Sequence, residues 1–124
     1  MGDKLVLPEV SRLHVTDEHT HYRIAFHDDR VDGTAVRELY EVTMQLVDHA
    51  QSLKLLVDLT DVHFLPSGGL GMLVTIRKKF LATGGQLHIL VPDAQVKEVF
   101  TVTNLDKLLT LFGNADEAVH AFKS

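Results

Sequence analysis

Apolar and polar residues alternate in two short runs near the start of the chain. Leu13 and Val15 alternate with Arg12, His14 and Thr16; beyond Thr16-Asp17-Glu18-His19-Thr20, Tyr22, Ile24 and Phe26 alternate with His21, Arg23, Ala25 and His27. A period of two predicts an antiparallel hairpin with one wet face. From Asp32 the period changes. Val36, Leu39, Tyr40, Thr43, Leu46, Val47 and Ala50 recur at helical spacing, with Arg37, Glu38, Glu41, Gln45 and Asp48 opposite, which predicts an amphipathic helix. Leu55, Leu56, Val57 and Leu59 then form the short apolar run of an interior strand. Leu70, Leu73 and Val74 return to helical spacing behind Pro66 and Ser67, a helix-start signal.

Gly84-Gly85 ends that helix, and Leu87, Ile89 and Val91 alternate with Gln86 and His88 in the next strand. Pro92-Asp93 opens a helix through Val96, Val99 and Phe100, Leu109 and Leu111 suggest a short strand, and Asn114 caps a last helix carrying Ala118, Val119 and Phe122. The predicted order is β-β-α-β-α-β-α-β-α, an α/β fold whose mixed sheet has an N-terminal antiparallel hairpin followed by parallel strands with right-handed crossovers. Polar residues His14, Arg23, Lys54 and His88 on the strands place the helices mainly on one sheet face. Residues 1–10 are expected to be a loose arm of a single domain spanning 1–124.

Composition narrows the function classes. The 124 residues are 45% hydrophobic and 23% charged, enough for one domain and too few for two of ordinary size. A formal net charge of -5 disfavours non-specific attraction to nucleic acid or anionic lipid, since both need a positive field. The absence of cysteine removes disulfides, thiolate metal sites and cysteine nucleophiles. No apolar run approaches membrane-spanning length and the first residues lack the apolar core of a signal peptide, so a cytoplasmic location is the default.

Candidate chemistry is sparse. His19 and His21 sit at alternate positions near His27, Asp28 and Asp29, a set that could bind zinc or nickel, but at a hairpin tip they read better as solvated polar residues. His49, His63 and His120 are scattered and read as surface. Ser67 lacks the Gly-x-Ser-x-Gly order of a nucleophile elbow. Gly69-Leu70-Gly71-Met72-Leu73-Val74 begins like a dinucleotide fingerprint but has Val74 for the third glycine, and no Gly-Lys-Ser or Gly-Lys-Thr follows. Asp58 and Asp61 are expected to hydrogen-bond local backbone amides. No cofactor is implied.

The strand-to-helix junction at Leu55–Val74 is the informative segment. Gly68, Gly69 and Gly71 each cost roughly 1 kcal/mol of helix propensity relative to Ala, and close approach by another surface is the reason that best explains them. On a helical wheel Leu70, Leu73, Val74, Ile76, Phe80 and Leu81 fall on one side as core. Gly68, Gly71, Met72, Thr75, Lys78 and Lys79 fall opposite, where glycines admit a neighbouring backbone, Met72 offers an adaptable apolar contact and the lysines offer charge.

This junction resembles the signature of the STAS domains, the sulfate-transporter and anti-sigma-factor-antagonist family, in which an apolar strand ending in Asp-Leu leads to Asp-Ser-Ser-Gly-Leu-Gly. Here the signature reads Pro66-Ser67-Gly68-Gly69-Leu70-Gly71. Gly84-Gly85-Gln86-Leu87 is similar to the family's Gly-Gly-x-Leu, and Thr103-Asn104-Leu105-Asp106-Lys107-Leu108 to its Thr-Gly-Leu-Asp-Lys-Leu. Asp32 and Thr34-Ala35 sit where the family ends Gly-x-Leu-Asp and starts its first helix. The likeness runs from about Leu13 to Phe122.

The resemblance implies a regulatory interaction module rather than an enzyme, binding a partner such as an anti-sigma factor or kinase. It also implies a phospho-acceptor at the second Ser of the signature, whose added charge ejects the partner. That position is Gly68, and the preceding Asp is Pro66; Ser67 is the only hydroxyl left, and its expected role is N-cap. The expected partner-binding set is Ser67, Gly68, Gly69, Gly71, Met72, Thr75, Lys78 and Lys79. Two other readings stay open: a scaffold subunit of a signalling or lipid-transport assembly, and a small-molecule or nucleotide sensor using the glycine-rich helix end. Oligomeric state is not legible.

Overall fold

A computed structural model describes residues 7–49 and 52–123. Strands β1 (Leu13–Asp17) and β2 (Tyr22–Phe26) form the hairpin, followed by α1 (Gly33–His49), β3 (Lys54–Asp58), α2 (Ser67–Ala82), β4 (Gln86–Leu90), α3 (Ala94–Val102), β5 (Leu111–Phe112) and α4 (Ala115–His120). Two short 3-10 turns, Leu105–Lys107 and Ala121–Lys123, flank the last strand and helix. The five strands lie in sequence order, with β1 antiparallel to β2 and every later neighbour parallel. This is the element order and strand direction that the periodicities predict.

One face of the sheet carries the main core. Leu13, Ile24, Phe26, Leu55, Val57, Leu87 and Ile89 point to it, and Leu39, Val42 and Leu46 of α1, Leu73, Ile76 and Phe80 of α2, and Val96 and Phe100 of α3 close over them. The other face holds a smaller cluster in which Ala118 and Phe122 cover Leu56 and Leu90. Both faces of β3 and β4 are therefore buried, which is why their sequences read as nearly unbroken apolar runs.

Several sequence expectations change on this second face. His88, read as a water-facing strand residue, is buried; its Nδ1–H donates to the Ala118 carbonyl at 2.8 Å, and its ring stacks on Phe122. His21 is buried too, not solvated at a hairpin tip, because Phe122 lies over it with ring centroids 5.3 Å apart. Burial lowers the pKa of both imidazoles, since desolvation disfavours the charged form.

The arm expected through residue 10 is only in part a matter for the structure, since residues 1–6 lie outside the described residues. Leu7 and Val10 are partly buried against the core, without helix or strand. Glu38, placed by the wheel on the wet side of α1, is buried because the chain entering β1 crosses it. The Ser11 N–H and hydroxyl donate to one carboxylate oxygen at 2.9 Å each, and the Arg12 N–H donates to the other at 2.8 Å. Burial raises its pKa, but these donors, led by the Ser11 N–H, outweigh that and leave it lowered.

Turn chemistry fixes the remaining joints. Gly84 takes φ +76°, a left-handed conformation that L side chains rarely adopt. Asn104 takes φ 62°, which Asn tolerates better than most residues, at the position where the family motif has Gly. Asp93 caps α3 through Gln95 N–H and Val96 N–H, and Asn114 caps α4 through Glu117 N–H.

Candidate functional site

The β3–α2 junction starts from an ion pair between a half-buried arginine and a buried aspartate. Asp58 at the end of β3 is buried and accepts Arg23 Nε from β2 at 2.9 Å, while its other oxygen accepts the Thr60 N–H at 2.9 Å and the Thr60 hydroxyl. The local-amide role expected for Asp58 is present, joined by an ion pair that only strand pairing could bring together. Asp61 is exposed. The loop then runs through His63, whose Nδ1 meets the Asp93 carboxylate at 2.6 Å, and through Phe64 and buried Leu65 to Pro66. The His63 hydrogen bond is the first cause of a lowered Asp93 pKa.

Pro66, not Ser67, occupies the N-cap of α2, with extended backbone at φ -74° and ψ 168°, and no side chain caps the helix. The expected capping role of Ser67 is thus overturned: Ser67 is already the first helical residue. The Pro66 carbonyl receives the N–H groups of Gly69 and Leu70 at 2.9 and 3.3 Å. The fixed φ of proline suits this entry conformation, so the ring sets the direction that a hydroxyl was expected to set.

The three glycines divide into two kinds. A Cβ on Gly68 or Gly71 would meet nothing within 4 Å, whereas one on Gly69 would come within 2.7 Å of Leu65 Cδ1 and 3.5 Å of Val31 Cγ1. Gly69 is buried and answers to internal packing, so its assignment to the docking face is corrected. Gly68 and Gly71 are exposed with open space above them.

The rest of the expected face is partly regrouped. Ser67, Thr75, Lys78 and Lys79 are exposed, and the Thr75 hydroxyl bonds the Gly71 carbonyl at 3.1 Å. Met72 is half-buried and packs against the main core, on a helix beside which α1 lies. Leu81, assigned to the core, is 57% exposed, while Phe80 beside it is fully buried. The wheel gives angles only; which angles meet water depends on neighbours.

Sequence reasoning missed the loops beside the helix. Arg30, from the segment between β2 and α1, stacks its guanidinium 4.2 Å from the centroid of the Phe64 ring, and Phe64 is 48% exposed. Asp32 caps α1 at the Ala35 N–H (2.8 Å), the first cause of its lowered pKa, and accepts Arg12 Nε at 3.3 Å. A large aromatic outside any periodic element was the available signal for Phe64. Among the described residues no group of three His, Asp or Glu side chains is arranged to hold a metal ion, and no helix is long and apolar enough to cross a membrane.

Comparison with known proteins places this architecture. The model of the STAS domain matches residues 12–118, and the chain belongs to that family. Two relatives named as candidate anti-sigma factor antagonists, from Thermotoga neapolitana and Thermotoga maritima, are 33% and 32% identical over 66 residues. Each match takes in 53% of this chain and 58% of the relative, so the chain spans little more than half the length of these curated relatives. The structure of an anti-sigma-factor antagonist (STAS) domain protein from Planctomyces limnophilus is 25% identical, with a TM-score of 0.78 over 92% of this chain and all of that one. An anti-sigma factor antagonist from Mycobacterium paratuberculosis, 24% identical, shares the fold with a TM-score of 0.72 over 90% and 93% of the two chains.

Proposed function

We propose that this STAS-family chain is an anti-sigma-factor antagonist that docks a regulatory protein, of the anti-sigma factor or kinase class, on the first turns of α2. The observation that carries this reading is the open space over Gly68 and Gly71. Glycine inside a helix costs about 1 kcal/mol relative to Ala, and no neighbour among the described residues requires it at these two positions. A partner backbone approaching the bare helix surface supplies the missing reason. Exposed Ser67, Thr75, Lys78 and Lys79 continue the same face and add polar hydroxyls and positive charge.

The same reading makes the module insensitive to phosphorylation at the start of α2. The family acceptor falls on Gly68, which has no hydroxyl, and Pro66 replaces the acidic residue ahead of it. Partner binding is then governed by abundance or affinity, not by a charge added to the interface.

The test begins with capture of a partner from native extract on the immobilised protein, followed by titration of the purified pair with and without ATP. Tight binding that persists with ATP is expected, and Gly71→Glu should abolish it without destabilising the fold. Binding untouched by both Gly71→Glu and Thr75→Glu would refute docking on this face.

A further inference from the structure

Beside the α2 start the two loops form a preorganised platform. The His63 and Phe64 N–H groups both donate to the Asp29 carbonyl, at 2.7 and 3.0 Å, and the Val31 N–H donates back to the Phe64 carbonyl at 3.2 Å. Arg30 and Phe64 thereby form a parallel bridge outside the sheet, with the guanidinium lying on the ring. A single exposed apolar residue is ordinary in a monomer. Phe64 differs because its backbone is fixed by the neighbouring loop and its ring is stacked, so little conformational entropy remains to be lost on binding.

A groove of about 390 Å³ opens next to Arg30, between the starts of α1 and α2, floored by Val31, Gly33, Val36, Pro66 and the Gly68–Gly69 backbone. Its walls are apolar or bare backbone. Of the two charges on its rim, Asp32 is already engaged by Arg12 and by the Ala35 N–H. Arg30 has no carboxylate partner among the described residues. Stacking on an aromatic ring occupies the face of a guanidinium and leaves its in-plane N–H fork free to grip a carboxylate.

We propose that this platform is a second contact for the docked partner, fitted to an amphipathic segment that puts an apolar side chain into the groove and a carboxylate on Arg30 above Phe64. The inference rests on the docking reading of α2 and names the chemistry its partner must carry. Exposed Asp29, next in the chain to Arg30, repels a carboxylate placed out of register, which adds specificity to the attraction.

The probe is a short amphipathic peptide with Leu and Glu one helical turn apart, titrated into 15N-labelled protein beside the same peptide with Lys in place of Glu. The Glu peptide should shift the amides of Arg30, Phe64 and Gly68, the Lys peptide much less, and Arg30→Glu should reverse that preference. Phe64→Ala should weaken the Glu peptide by about tenfold, the effect of losing an interface anchor. Thermal melting of each variant close to wild type shows that the fold is intact. Equal response to both peptides, or shifts elsewhere only, overturns the inference. With the purified partner, wild-type affinity retained by both Arg30→Glu and Phe64→Ala overturns it while leaving docking on α2 in place. A groove that selects the Glu peptide in a protein that captures no partner would instead refute the functional reading alone.

Discussion

The imidazole of His88 lies flat on the ring of Phe122, with centroids 3.9 Å apart and planes 3° from parallel. The Ala118 carbonyl can only accept, so Nδ1 carries the proton of the neutral ring and protonation would occur at Nε2. Desolvation, first, and the charge of His21 lower the His88 pKa, and desolvation is also the first cause at His21. A histidine whose folded pKa lies below its unfolded value contributes full stability above the unfolded pKa and loses it as pH falls below. Stability should therefore drop between pH 7.5 and pH 5, above the range in which carboxylates titrate. Urea midpoints across that range should fall for wild type and fall less steeply for His88→Gln; an equal slope in both would show that His88 does not contribute to the dependence.

Glu38 ties the entry of β1 to α1 through three donated hydrogen bonds. Its replacement by Ala strands the Ser11 and Arg12 N–H groups and should cost about 3 kcal/mol, in line with hydrogen bonds to a buried charge. Denaturant unfolding measures the loss. A change below about 0.5 kcal/mol, typical of surface positions, would place Glu38 outside the structural core.

The glycines of α2 should separate in a simple series. Gly68→Ala and Gly71→Ala should each stabilise by about 0.5–1 kcal/mol, since space is open and helix propensity improves. Gly69→Ala should fall short of them by about 1 kcal/mol, because its Cβ would come within 2.7 Å of the buried Leu65 side chain. Equal gains at all three positions would contradict the packing described for Gly69.

Charge introduced at Met72 should now cost stability. The residue is partly buried against the core, so Met72→Glu should lose about 1–3 kcal/mol, beyond the range of exposed substitutions. The helical wheel alone predicts almost no loss. Thermal unfolding decides between the two.

Intact mass after incubation with the captured kinase and ATP should show no phosphate on the wild type. Pro66→Asp combined with Gly68→Ser restores the family pattern and should take up one phosphate, with release of the partner. Efficient modification of Ser67 in the wild type would return an ordinary phospho-switch to this protein.

What the sequence determined by itself is whatever depends on neighbours along the chain. Alternation around Ile24, helical spacing through Leu39 and Leu46, and the break at Gly84 are local steric and solvation preferences, and they were enough for element order and strand direction; the family came from the likeness of short motifs such as Pro66–Gly71. For the glycines of the Ser67–Gly71 turn the sequence offered one reason, close approach by another surface, and did not separate Gly69 from the other two. Only the tertiary structure decided that Gly69 packs on Leu65, that Met72 packs against the core, that Phe122 returns to bury His21 and His88, and that Arg30 lies on Phe64. Each of these pairs residues distant in sequence or sets a side chain against a neighbouring element. Periodicity supplies the angle of a side chain about its own axis, and burial requires knowing what stands at that angle.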